Sequence, residues 1–126
     1  MHFKLFSSVL CVTLAIASIQ NTFANPSPKS ECPSVSAIQS VNLDRVTRWD
    51  NWTVFTWANK YNTPNYWRFS IGQFHANDET NALAQARKSL TTLTFAEGPS
   101  EYRGEWQCHY VTADGYEGVA QLLEDK

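Results

Sequence analysis

The sequence predicts an α+β fold: a four-stranded antiparallel sheet with one long helix across one face and a short disulfide-tethered N-terminal helix. Three observations predict it. Two β-prone runs flank a turn at Asp114-Gly115, which indicates a hairpin over Glu105–Leu123. Apolar and polar residues alternate along Tyr66–Phe74, as in a half-buried strand. Residues 79–94 carry apolar side chains at helical spacing. The expected element order is α-β-β-α-β-β.

The N-terminus is predicted to be a targeting signal. Residues Met1–Ala24 combine a basic start, a short apolar run, and small residues at positions −3 and −1 of a cleavage site. The apolar run is shorter than the roughly 20 residues that a membrane span needs. We expect a signal peptide at 1–24, a flexible leader at 25–31 and one domain at 32–126. The mature protein is then secreted or periplasmic, with no membrane span.

Two cysteines remain after removal of the signal peptide, Cys32 and Cys108. Because an exported protein meets an oxidising compartment, we expect them to form a disulfide. Closing so long a loop stabilises a fold by about 4 kcal/mol in the chain-entropy model. The alternative is a reactive thiol at Cys32, which precedes an expected helix start.

The first half of the domain is predicted to hold a short helix and two strands. The helix begins at Pro33-Ser34 and presents one apolar face. Residues 45–51 are polar and predict a turn. The run Trp52–Trp57 is β-branched and aromatic, which favours a strand, and Tyr66–Phe74 forms the second.

The long helix is expected to start at a cap formed by Asn77 or Asp78 and to run to about Thr94. Gly98-Pro99 is typical of a chain leaving a helix, so this pair marks the end of the helical region. The apolar stripe consists of four residues: Leu83, Ala86, Leu90 and Leu93.

Pairing the last two strands about Asp114-Gly115 separates the hairpin into two faces. His109 then points away from the core, opposite Ala120 and beside Gly118. The core face holds five residues: Trp106, Cys108, Tyr110, Val119 and Leu123.

His109 is the predicted ligand-contacting residue. Small residues across the strand leave room for a flat apolar ligand, and histidine is a common axial ligand of haem iron. The predicted ligand-binding set adds Tyr110, His75 and Tyr102. The alternative is that His109 is simply a solvent-facing strand residue. The sequence lacks the short motifs of zinc proteases, serine hydrolases and nucleotide-binding proteins.

Two other functions are compatible with the sequence. An exposed aromatic patch would make the protein an interaction module. The residues expected in that patch are Trp49, Trp52, Trp57 and Tyr61. A small secreted ribonuclease would combine histidine, glutamate and arginine on a sheet. Its residues would be His75, Glu101, Arg103, Glu105 and His109. The formal net charge of −2 argues against nucleic acid as the partner.

Three segments resemble a family of small exported proteins of Legionella-type bacteria. They are Glu-Cys-Pro-Ser-Val-Ser-Ala-Ile-Gln at 31–39, Tyr-Trp-Arg-Phe-Ser-Ile-Gly at 66–72 and Glu-Trp-Gln-Cys-His-Tyr at 105–110. The resemblance extends from Cys32 to about Leu123. Some members of that family carry a hemin-binding label, so the resemblance implies an exported bacterial protein and haem as a cofactor or ligand. It assigns no ligand residues.

Overall fold

The computed structural model describes residues 31–123. The expected signal peptide at 1–24 and the leader up to residue 30 lie outside the described residues. The described chain has two helices, α1 (Val35–Gln39) and α2 (Glu79–Leu90). Its six strands are β1 (Arg45–Arg48), β2 (Trp52–Phe55), β3 (Trp67–Phe74), β4 (Thr94–Tyr102), β5 (Glu105–Val111) and β6 (Glu117–Leu122).

All six strands form one antiparallel sheet in the order β1-β2-β3-β6-β5-β4. The prediction of a four-stranded sheet with one long helix is therefore wrong. The sheet has two further strands, the longer helix has only 12 residues, and the structure is mostly sheet. Within residues 31–123, no helix has the length and apolar character needed to cross a membrane.

Strand β1 occupies a segment that was predicted to be a turn. Of its four residues only Val46 packs against the core, where it pairs with Val54 of β2. Strand β1 lies at an edge of the sheet, where charged residues such as Arg45 and Arg48 discourage pairing with other chains. One apolar residue in four is too little signal for a strand.

Strand β4 replaces the predicted end of the long helix. Helix α2 ends at Leu90, and the chain re-enters the sheet at Thr94. Gly98-Pro99 lies inside β4, where the pairing with β5 is irregular. A proline removes a backbone donor, but β4 is the opposite edge strand, so the loss is tolerated there. Gly98-Pro99, a dipeptide typical of helix ends, therefore lies in an edge strand of this protein.

The two halves of the chain have the same topology. Each consists of a helix followed by three antiparallel strands, and the halves meet where β3 pairs with β6. Helix α2 packs on β1–β3, whereas α1 is attached to β5 of the second half. Each helix is therefore attached to the half of the sheet that follows the other helix.

The core lies between the helices and one face of the sheet. Trp67, Phe69 and Tyr110 are its largest fully buried side chains. Helix α2 faces the sheet with small residues, Ala82 and Ala86, which bring its backbone close to the strands. Close packing of this kind excludes water from the strand surface, and the burial of apolar surface stabilises the fold.

The predicted disulfide is confirmed: Cys32 is bonded to Cys108 of β5, with 76 residues of sequence separation. A second contact lies beside it, where the Tyr110 hydroxyl donates a hydrogen bond to the carbonyl oxygen of Pro33. A disulfide is compatible with an oxidising compartment. Together these two contacts hold the start of α1 against β5.

The predicted β5–β6 hairpin forms, but its register is shifted by one residue. His109 pairs with Val119 and Tyr110 with Gly118, instead of Ala120 and Val119 respectively. The loop has three residues, because Thr112 pairs with Tyr116 and Gly115 adopts φ 91°. A one-residue slip exchanges the faces of β6, so Gly118 and Ala120 belong to the core.

Candidate functional site

The sheet face that carries no helix, here called the open face, is the main candidate surface. Strand pairing places one residue from each strand in a continuous row across it. We call this the cross-strand row: Arg45, Phe55, Ser70, Val119, His109 and Glu97. Its four inner residues are half-buried and its two end residues are exposed.

His109 is held in the row by Glu117. Its Nδ1 lies 3.2 Å from Glu117 Oε1, and its side chain is 25% exposed. With Nδ1–H donating to the carboxylate, Nε2 carries the lone pair and has no partner among the described residues. A neighbouring carboxylate that fixes the ring in this way is a usual feature of histidines that bind metals.

A groove of about 350 Å³ lies beside His109. Its apolar walls include Val111 and Tyr116, and its acidic walls are Glu97 and Glu117. The residue across the ladder is Val119, so the expected small neighbours of His109 are absent from this face. The surface beside the imidazole combines apolar side chains with two carboxylates, and it is bulkier than the sequence predicted.

The four predicted ligand-contacting residues do not converge. Tyr110 lines the same groove as His109, but its side chain is fully buried in the core, where burial raises the pKa of its phenol. Tyr102 shares the open face but pairs with Glu105 at the far end of β5, about 13 Å along the strand from His109. His75 lies beyond the end of β3.

His75 lines a separate cleft of about 620 Å³ between the β1–β2 turn and the start of α2. Trp52 is also in this cleft, where its Nε1 donates to the Ala76 carbonyl at 3.0 Å and Arg48 lies 5.3 Å from its ring. Most of the other walls are polar: Asp50, Asn51, Asn77, Asn81 and Gln85. The polar lining does not suit a flat apolar ligand.

The predicted aromatic patch is divided. Trp57 is on the open face, 6.4 Å from the Phe55 ring and 4.7 Å from the Arg45 guanidinium carbon. Trp49 is 91% exposed at the β1–β2 turn. Tyr61 is buried and hydrogen-bonded to the Thr56 hydroxyl, and burial raises the pKa of its phenol.

The residues of the ribonuclease hypothesis are also dispersed. Glu105 and His109 share the open face, but the Glu105 carboxylate accepts a 2.7 Å hydrogen bond from Gln121. Arg103 lies in the β4–β5 turn over the Tyr102 ring. Glu101 pairs with Trp106, and His75 is in the cleft. An acid and a base must reach the same substrate atoms, and this arrangement separates them.

Metal binding by the protein alone finds no support in residues 31–123, where no three His, Cys, Asp or Glu side chains are grouped to hold an ion.

The sequence did not predict two residues of the open face, Glu97 and Glu117. With a three-residue loop at the hairpin, the pairing rule would have placed Glu117 beside His109. Glu97 carried no signal, because β4 itself was not predicted.

Comparison with known proteins gives no relative from which a role could be transferred. No family model matches the sequence, and neither the curated proteins nor the solved structures contain a match.

Proposed function

We propose that the protein is a small, non-enzymatic binding protein, secreted or periplasmic, whose open face contacts a flat aromatic ligand such as hemin. The observation that carries this proposal is the His109–Glu117 pair. The Glu117 carboxylate lies 3.2 Å from Nδ1 and favours the tautomer with a proton on Nδ1, which leaves the lone pair of Nε2 for a ligand.

The residues of the open face fit one axial histidine and an apolar ring contact. His109 would hold the iron, and Val119 and Val111 would meet the flat surface of the ligand. Nε2 would donate its lone pair to the iron. Tyr110 is excluded as a second ligand, because it is buried on the other face. The protein therefore provides a single coordinating residue on an exposed sheet.

Absorption spectroscopy tests this proposal directly. Titration of the disulfide-bonded protein with hemin should give a Soret shift that His109→Ala abolishes. Glu117→Gln should weaken hemin binding about 10- to 100-fold, since it removes the carboxylate that orients the ring. His75→Ala is the matched control and should leave binding unchanged. The absence of a Soret shift at micromolar hemin would refute the proposal.

A second candidate function is protein interaction through the same face. Trp57 is 55% exposed there, beside the half-buried Phe55 and the Arg45 guanidinium. Exposed aromatic and arginine side chains are enriched at protein interfaces. Loss of partner binding in Trp57→Ala, with Trp49→Ala as the control at the β1–β2 turn, would support this function. Binding that Trp57→Ala leaves unchanged would argue against it.

A further inference from the structure

We infer that the open face binds the open face of a second copy of this chain, forming a two-fold symmetric dimer. The inference deepens the second candidate function by naming the partner. It rests on the order of residues in the cross-strand row. When the row of one copy is reversed and placed against the row of another, residues of opposite charge face each other at both ends.

The row has a positive end and a negative end. It begins with Arg45 on edge strand β1 and finishes with Glu97 on edge strand β4. Arg45 also lies 4.0 Å from its exposed neighbour Asp44, a distance at which an exposed pair contributes little. The same polarity extends beyond the row. The first half of the open face adds Arg68, and the second half adds Glu105 and Glu117. Arg103, which lies over the Tyr102 ring in the second half, is an opposing charge there.

The centre of the row coincides with the boundary between the two halves of the chain. Ser70 of β3 pairs with Val119 of β6, and three strands lie on each side of that pair. A two-fold axis parallel to the strands at this boundary reverses the row. Arg45 of one copy then faces Glu97 of the other, and Phe55 faces His109.

Each of these encounters is favourable. The two arginine–glutamate pairs lie at the rim, where opposite charges set orientation and exclude other registers. The inner contacts are Phe55 with His109 and Ser70 with Val119. Three of these four side chains are aromatic or aliphatic, as in the centre of a protein interface. Because the interface is isologous, every contact occurs twice.

The face is large enough for a specific contact. Six strands about 4.8 Å apart give a width of about 25 Å. In the proposed dimer the four-residue strands β1 and β2 face β4 and β5, and β3 faces the six-residue β6, so the projected area that two copies share is about 450 Å². A standard interface buries about 800 Å² of accessible surface per partner. The accessible surface of protruding side chains is larger than the projected area of the sheet, so this face comes closer to that value than its projected area indicates. Hemin on His109 would compete with the second copy for this surface.

Sedimentation equilibrium of the disulfide-bonded protein tests the inference by charge reversal. Arg45→Glu and Glu97→Arg should each raise the dimer dissociation constant at least about tenfold, because like charges then face each other twice. The double variant restores both pairs and should return the constant to within about threefold of wild type. Lys88→Glu, an exposed reversal on α2, should have no effect.

Three results would overturn the inference. They are a monomer at all concentrations up to millimolar, a dimer that neither reversal weakens, and a double variant no better than the single ones. Either of the last two results would show that Arg45 and Glu97 do not face each other across the dimer interface. Hemin binding is measured separately, so failure of the dimer leaves the ligand proposal intact, and Arg45→Glu should retain hemin binding.

Discussion

The Ser89 hydroxyl, buried in the last turn of α2, donates a 2.7 Å hydrogen bond to Asp114 in the β5–β6 turn. The other carboxylate oxygen of Asp114 accepts a 2.6 Å hydrogen bond from Thr112. These contacts, led by that from Thr112, lower the pKa of the Asp114 carboxyl group. The Asp114 side chain thus joins α2 to the hairpin that carries His109.

Acidification should therefore remove the contribution of Asp114 to stability. Because the folded-state pKa lies below the unfolded value, the contribution is complete above pH of about 4 and is lost as the pH falls through the folded pKa. Urea unfolding should show Asp114→Asn to be less stable than wild type at pH 7, and the difference should shrink toward pH 2. An equal difference at both pH values would contradict the assignment.

Reduction of the Cys32–Cys108 bond should destabilise the protein by about 4 kcal/mol, because the open chain gains loop entropy in the unfolded state. Urea unfolding with and without reductant measures the change. The Cys32→Ser/Cys108→Ser variant is the control: it should match the reduced protein and be insensitive to reductant. An unchanged midpoint on reduction would show that the bond does not support the fold.

Gly118→Ala should lower the free energy of unfolding by about 1–3 kcal/mol, because a Cβ there would lie 2.9 Å from the buried Phe69 ring. Ser70→Ala, on the open face of the neighbouring strand, is the control and should change stability by less than about 0.5 kcal/mol. Hemin binding should be retained by Gly118→Ala. A neutral effect on stability combined with altered ligand binding would favour the register first predicted from the sequence.

The sequence predicted those elements in which local pattern and tertiary environment agree. The alternation through Trp67, Phe69 and Ile71 identified β3. The apolar spacing of Ala86 and Leu90 identified α2, although Leu93 lies beyond its end and Leu83 is only half-buried. Both segments bury apolar side chains at their own period, so the periodicity is visible in the sequence. The cysteine pairing followed from the count of cysteines outside the expected signal peptide and is confirmed.

The two edge strands were not predicted, because edge strands often contain charged residues or proline, which weaken the strand pattern in the sequence. Strand β1 carries Arg45 and Arg48, and β4 contains Pro99. Both features discourage pairing with foreign strands and also disguise the strand in sequence. The hairpin register failed for a different reason: Asp114-Gly115 suits both two- and three-residue loops, and the choice depends on the contacts of Thr112.

The candidate site was predicted only in part, because the hairpin register was wrong. The face of His109 followed from the alternation in β5, which does not depend on the register. The neighbours of His109 do depend on it, so Glu117 and Val119 replaced the expected Gly118 and Ala120. The other predicted ligands, Tyr110 and His75, were grouped by residue type alone, and the fold separates them.

The most direct test of the open face as the ligand surface is a ¹H–¹⁵N spectrum of the disulfide-bonded protein during titration with hemin. Ferric iron broadens nearby amide signals. We predict that broadening begins at His109 and Val119, extends to neighbouring residues of β5 and β6, and spares the cleft around His75. Broadening centred on that cleft, or none at stoichiometric hemin, would contradict the assignment.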